Sequence, residues 1–261
     1  MKWNNTLYDQ KHGFISKYGE GLIEVLNPKE GEVVLDLGCG TGDLAGQIAE
    51  SGCSVVGIDE SEEMIEAARG KFPKQEFVVG DAKSLNLVKV NILEEELDAV
   101  FSNAVLHWIK EPEKVLWGVN RYLKKGGRFV AELGGKGNVE KIRDSIHEVL
   151  YKHGFKEQAA IQKWYFPSVA EYAALLEKHG FEIRLIGTYD RPTKLKDTEN
   201  GIVEWLEMFA GTFFEGISEN KKQALLYEMQ ATLRDELYQD GEWIADYKRL
   251  RFYAVKTNQL Q

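Results

Sequence analysis

Residues 33–42 read Val-Val-Leu-Asp-Leu-Gly-Cys-Gly-Thr-Gly, an apolar run that meets a carboxylate and then breaks into glycine at every second position. An apolar run of this kind reads as a buried strand, and it must end where Asp36 needs something to satisfy its charge. Gly38, Gly40 and Gly42 permit positive φ and lack Cβ, so the backbone can approach a ligand closely. The following segment, 43–51, carries Leu44, Ala45, Ile48 and Ala49 on one helical face. Strand, glycine loop and helix in this order bring helix N–H groups to the loop.

A dinucleotide site is the first rival, but its fingerprint needs glycine at the first, third and sixth places of the loop. Counted from Gly38, the third place is Gly40 and the sixth is Asp43. A negative side chain at a helix start opposes a pyrophosphate there. The loop therefore suits a nucleoside without phosphates that keeps an amino group for Asp36, and S-adenosylmethionine is such a ligand. Over roughly residues 30 to 135 the chain resembles the class I S-adenosylmethionine-dependent methyltransferases, with several motifs in order. The family's glycine loop matches Asp36, Gly38, Gly40 and Gly42.

A second short apolar strand, 54–59, ends in Asp59, about 20 residues beyond the loop, where a ribose-binding carboxylate belongs. The resemblance implies that Asp59 takes both ribose hydroxyls. Ser61 reads as the N-cap of a helix bearing Met64, Ile65, Ala67 and Ala68, and Met64 falls where the family packs an apolar side chain on adenine. A third strand, 76–79, leads to Asp81 and Ala82, which inherit by position the contacts to the adenine amino group and ring. A fourth, 97–101, leads into Ser102-Asn-Ala-Val-Leu-His-Trp108, and a fifth, 127–133, follows a helix expected to stop at Gly126-Gly127. By the same resemblance Asn103 meets the methionine portion of the cofactor. The Ser-Asn-Ala…His-Trp pattern, with glycines at 134, 135 and 137, looks most like the trans-aconitate and malonyl-carrier-protein carboxyl methyltransferase subgroup.

The expected fold is α/β, a Rossmann-like doubly wound seven-stranded sheet whose last strand is antiparallel, with a helical lid insertion. One methyltransferase domain spans 1–261. An N-terminal arm and helix occupy 1–30, the cofactor-binding core 31–134, and substrate-side helices with the last two strands 135–261. The lid falls at about 199–240, where Trp205, Met208, Phe209, Phe213 and Phe214 cluster between strand patterns at 181–189 and 243–255. Residues 14–27 form a candidate helix that stops near Pro28, and 87–96 exceeds what its crossover needs.

The net charge of −9, from 33 basic and 42 acidic residues without a basic block, argues against a nucleic-acid partner. No stretch has the length and apolarity of a membrane span, and the first residues lack a signal peptide's apolar core, so the cytoplasm is the expected location. Cys39 and Cys53 have no metal-like spacing and suit a reducing compartment. No Asp/His/Glu cluster calls for a metal. A monomer or homodimer is expected.

Methyl transfer from a sulfonium releases a neutral thioether, S-adenosylhomocysteine, and needs no acid; positioning is the main contribution. A base is needed only when the nucleophile arrives protonated, and a carboxylate on a small molecule is already ionised. N- or C-methylation of another metabolite and noncatalytic cofactor binding are the alternatives. His107 reads either as a substrate contact or base, or as a helix cap with Trp108 packed beside it. Tyr8 and His12 lie on an arm that in related enzymes folds over the cofactor. Among the basic residues Arg128, Arg191, Lys194, Arg249 and Arg251, the pair Arg191 and Lys194 is the preferred carboxylate anchor because it falls between strand six and the lid. Trp108 and Trp164 are the aromatic candidates for the substrate cavity.

Overall fold

The computed structural model describes residues 21–257, so the expectations for Tyr8 and His12 lie outside the described residues. Two compact units are present. The first comprises the described residues through Gly134, then Pro167–Thr188 and the chain from Leu250; the second comprises Gly135–Phe166 and Tyr189–Arg249.

In the first unit, β1 (Val33–Leu37), α1 (Asp43–Ala49), β2 (Ser54–Asp59), α2 (Glu62–Lys71), β3 (Glu76–Val79), β4 (Leu97–Asn103), α3 (Pro112–Tyr122) and β5 (Leu123–Gly134) alternate as the hydrophobic pattern requires. β1 runs parallel to β2 and β4, and β2 and β4 run parallel to β3 and β5. The order is β3-β2-β1-β4-β5-β8-β6, with β6 (Phe181–Lys194) and β8 (Glu242–Lys256) closing the sheet and the last strands antiparallel. Strand order reverses between β1 and β4, which places a crevice beyond their carboxyl ends, the usual ligand position in a doubly wound sheet.

Leu22 and Leu26 of the helical residues 21–26 are fully buried against Val34, Ile48, Val55, Ile65 and Phe101. Each such burial contributes about 2 kcal/mol. Arg128 binds this helix end: its guanidinium meets both Glu32 oxygens at 2.8 and 2.6 Å and donates to the Leu26 carbonyl at 2.7 Å. A candidate carboxylate anchor is thus committed to the fold. Arg251 is likewise committed, meeting the buried Glu132 at 2.9 and 2.7 Å.

Several boundaries differ from expectation. No glycine ends α3; it stops at Tyr122, and extended chain begins at Leu123, which pairs with Leu97 across a bulge. The 87–96 excursion holds a single 3-10 turn, Val88–Val90. β6 runs five residues past Tyr189, to Lys194, so Arg191 and Lys194 sit on a strand and not on a connector.

The second unit contains α4 (Glu140–Lys152), α5 (Lys156–Ala159), α7 (Gly201–Phe209), α8 (Glu219–Thr232), α9 (Arg234–Leu237) and β7 (Tyr238–Gln239); α6 (Val169–Lys178) belongs to the first. The helical pattern at 217–239 therefore breaks into two helices and a strand. β7 pairs antiparallel with β8 through Asp240-Gly241, φ 51 and 83, and the strong Asp-Gly hairpin signal accounts for it. The helices over 199–240 group with 135–166 in one unit, a larger body than the expected insertion.

Candidate functional site

The chain leaving β1 is fixed to β2 by two N–H groups, Gly38 and Cys39, which share the Ile58 carbonyl at 2.7 and 3.0 Å. All three glycines of the loop have left-handed backbone, φ 79, 54 and 83. Their surroundings separate their roles. A Cβ on Gly38 would lie 2.2 Å from Val105 Cγ2, and one on Gly42 would lie 2.8 Å from Phe77 and 3.1 Å from Ala68. Packing alone demands those two. A Cβ on Gly40 would meet no atom of the described residues within 4 Å, so packing among them leaves room at this position.

Asp59 holds the loop from the end of β2: Gly40 N–H donates to its Oδ2 at 3.0 Å and Ser61 N–H to its Oδ1 at 2.9 Å. Ser61 then caps α2 by accepting from Met64 N–H at 3.3 Å, with Met64 buried. Asp36 sits in register with Gly57 and Phe101 and is 2 % exposed. Its Oδ2 has no hydrogen-bond partner among the described residues. Burial, and then repulsion from Asp59, pushes its carboxyl up to about 7. Burial also raises Asp59 against the two N–H donors. Neither acid forms an ion pair among the described residues, so within them the pair has no counter-charge and one unsatisfied acceptor. Burial likewise pushes the Cys39 thiol well up and leaves it unreactive.

Asp43 behaves differently. It accepts from Thr41 Oγ1 at 3.0 Å and pairs with Lys71 at 3.3 Å. Its charge is therefore largely balanced. The preference for a cationic ligand rests on Asp36 and Asp59 more than on the residue at the missing sixth glycine.

At the end of β3, Asp81 accepts from Lys83 N–H at 2.9 Å and caps the turn Ala82–Ser84, its side chain 42 % exposed and 3.6 Å from Lys83 Nζ. At the end of β4, Ser102 Oγ donates to the Leu37 carbonyl at 2.8 Å, tying β4 to the glycine loop's root, and the buried Asn103 stands opposite Glu132. Ala104 is left-handed, φ 60, a strained conformation for a residue with Cβ. It turns the chain into Leu106–Trp108, where His107 is buried and its Nδ1 accepts from Gly134 N–H at 3.2 Å. An imidazole that accepts at Nδ1 carries its proton on Nε2 and presents a donor there. Its ring lies 5.2 Å from that of the half-buried Trp108.

The first unit thus gathers Asp36, Gly38, Gly40, Asp59, Met64, Asp81, Ala82, Asn103, His107 and Trp108 at the carboxyl ends of β1 to β4. Arg191, Lys194 and Trp164 belong to the second unit. There Lys194 is 70 % exposed and 2.5 Å from Glu242, a surface ion pair in place of the expected interior anchor. Trp164 stacks on Phe166 at 5.9 Å and meets Trp205 and Phe213 at 6.1 and 5.5 Å. Sequence reasoning passed over Val105, whose signal was present only as an apolar residue after a strand.

Residues 35–131 match a family model described as a methyltransferase domain. The chain is 35% identical over 260 residues to an uncharacterized methyltransferase of Schizosaccharomyces pombe, covering 97% of this chain and 98% of that protein. It is 27% identical over 264 residues to the trans-aconitate 2-methyltransferase of an Azoarcus species, covering 97% and 99%. Among solved structures, phosphoethanolamine N-methyltransferase 2 of Haemonchus contortus in complex with S-adenosyl-L-methionine superposes with a TM-score of 0.56 at 22% identity, covering 93% of this chain and 53% of that one. No helix among the described residues is long and apolar enough to cross a membrane.

Proposed function

The chain belongs to the S-adenosylmethionine-dependent methyltransferases, and from that premise we propose that it methylates a carboxylate oxygen of a small molecule, in the cytoplasm, as a monomer or homodimer. The donor side is supported by the fit of the residues: a buried acid with an unsatisfied oxygen, a second acid beside it and an open glycine suit a cation that carries an amino group and ribose hydroxyls. Asp36, Gly38, Gly40 and Asp59 would hold it, with Met64, Asp81, Ala82 and Asn103 along its length. When bound, S-adenosylmethionine supplies an electrophilic methyl group with a neutral leaving group.

The observation that carries the acceptor reading is the Gly134 N–H to His107 Nδ1 bond. That bond leaves the ring proton on Nε2, so the neutral imidazole offers a donor and not a base at that nitrogen. An acceptor that is already anionic needs no base and gains from such a donor. The 27% identity to a trans-aconitate methyltransferase across 97% of the chain agrees with a carboxylate. Trp108, just past β4 in the first unit, is the candidate acceptor contact beside the donor residues. Buried thiols at Cys39 and Cys53 suit a reducing compartment.

The test is a screen of di- and tricarboxylates, trans-aconitate included, against amines, phenols and carbon acids, reading S-adenosylhomocysteine. Product with carboxylates alone supports the reading. Turnover restricted to another class, or cofactor binding without turnover of any, sinks it.

A further inference from the structure

Within the second unit α4 and α8 pack antiparallel, with Ser145 Oγ 2.9 Å from Thr232 Oγ1 at one end and His153, the C-cap of α4, beside Lys221 and Glu228 at the other. Lys221 and Glu228 are two helical turns apart on α8, so both face α4. His153 spans them. Its Nε2 lies 2.7 Å from Glu228 Oε2, and its Nδ1 lies 3.0 Å from Lys221 Nζ. The other Glu228 oxygen accepts from Lys152 Nζ at 2.7 Å. The side chains of His153 and Glu228 are less than a third exposed, whereas that of Lys152 is mostly in solvent.

A lysine ammonium has three donors and no acceptor, so Nδ1 accepts from Lys221 and the ring proton sits on Nε2, from which it is donated to Glu228. One tautomer satisfies both contacts. The same arrangement of heavy atoms also holds the state in which Lys221 has passed a proton to the ring and accepts from the imidazolium. Glu228 faces that new positive charge as an anion, because hydrogen bonds from Lys152 and then His153 hold its carboxyl below the usual range. Nucleophile, base and the acid that orients the base thus stand in hydrogen-bond sequence, the arrangement that activates a weak nucleophile. Lys222, next in the chain and also half-buried, differs. It pairs with Glu219 at 3.3 Å, and a carboxylate takes no proton from an amine at neutral pH.

We propose that Lys221 is a modification site, acylated on Nζ by a small acyl thioester with His153 as its base. His153 takes one ammonium proton at Nδ1, and the freed amine attacks the thioester carbonyl. The Nζ–C bond forms and a second proton leaves the nitrogen for solvent. The C–S bond then breaks, and His153 returns its proton to the departing thiolate. Glu228 holds the ring and offsets the imidazolium charge in between. The cluster adds no second acid for a poor leaving group, which favours a thioester over an ester or amide, since a thiolate leaves far more readily than an alkoxide or an amide ion. The product amide is neutral, so acylation removes a cation from the contact between α4 and α8. The site lies wholly in the second unit and uses none of the residues proposed to hold S-adenosylmethionine.

The whole protein is incubated at neutral pH with acetyl-coenzyme A, and in parallel with acetyl phosphate, and acetylation of the two adjacent lysines is counted by fragment-ion mass spectrometry of a peptide carrying both. Wild type is expected to label Lys221 about tenfold or more over Lys222 with the thioester, and the ratio to fall to about one in denaturant. His153→Gln keeps an acceptor for Lys221 and a donor for Glu228 but takes no proton, and is expected to bring Lys221 down to Lys222. Glu228→Gln is expected to slow Lys221 several-fold, and it carries the test if His153→Gln melts early. Affinity for S-adenosylhomocysteine is expected to be unchanged in both variants. Equal labelling of the two lysines in the folded wild type, or a ratio that survives both variants, overturns the proposal. Labelling of Lys221 by acetyl phosphate alone overturns the thioester as the donor.

Discussion

Gly40 N–H donates to Asp59 Oδ2 at 3.0 Å, so the carboxylate proposed to bind a ribose also fastens the one glycine of the loop at which an added Cβ would meet no described atom. Its second oxygen holds Ser61 N–H at the entry to α2. Asp59 therefore serves the fold, besides the ligand contact proposed for it. Asp59→Asn keeps one acceptor and loses the other together with the charge. It is expected to cost about 1–3 kcal/mol in denaturant unfolding and to weaken S-adenosylhomocysteine binding at least tenfold by calorimetry.

The glycines should divide by phenotype. Gly38→Ala places a Cβ 2.2 Å from Val105 Cγ2 at a left-handed residue, φ 79. It should destabilise by more than about 2 kcal/mol, with partial recovery in combination with Val105→Ala. Gly40→Ala meets no atom of the described residues and should cost the fold only about 1–2 kcal/mol while impairing cofactor binding more severely. Thermal melts with and without S-adenosylhomocysteine separate the two; equal losses of affinity would refute the distinction.

Asp36 predicts a pH dependence of known sign. Its folded value of about 7 lies above its ordinary 3.8, so between these limits the folded protein holds more protons than the unfolded chain. Stability of the ligand-free protein is expected to fall as pH rises across that window. Asp36→Asn should then stabilise it above pH 7 by up to about 4 kcal/mol and bind the cationic donor more weakly. Because a cation favours the ionised acid, donor affinity should rise with pH through 7, with proton release visible by calorimetry in buffers of different ionisation enthalpy.

His107→Leu strands the buried Gly134 N–H and is expected to cost about 1–3 kcal/mol. Asn, which keeps an acceptor near Nδ1, should restore most of that. Side-chain nitrogen NMR should find the Nε2–H tautomer. A pH–rate limb that disappears with His107 would contradict the donor role.

Arg128 fixes Glu32 and lowers its carboxyl mainly through their hydrogen bond. An acid lowered by folding stabilises above its ordinary value of 4.5, and that contribution is lost as pH falls through the lower folded value. Both side chains are partly exposed, 15 % and 21 %, so solvent screening keeps the contribution small. Glu32→Gln should flatten the acid limb of the stability curve below about pH 4.5.

The alternation of strands and helices from β1 to β5 was legible in the chain alone. Apolar runs ending in Asp36, Asp59 and Asp81, each followed by a break, are local patterns whose meaning needs no distant partner. The inward face of 21–26 and the cap at Ser61 were legible for the same reason. The second unit was legible only as helical periodicity and aromatic content, and the Asp240-Gly241 turn that divides it passed unread. Tertiary structure decided what local pattern cannot carry. Arg128, Arg251 and Lys194 read alike along the chain, yet Glu32, Glu132 and Glu242 take them up from remote positions. Arg249 gained its place because β8 alternates into a face shared with Tyr247, and because Trp205 reaches that phenol from α7. A charge is silent in sequence until folding sets its burial and its neighbours, and those two quantities fix what it can bind.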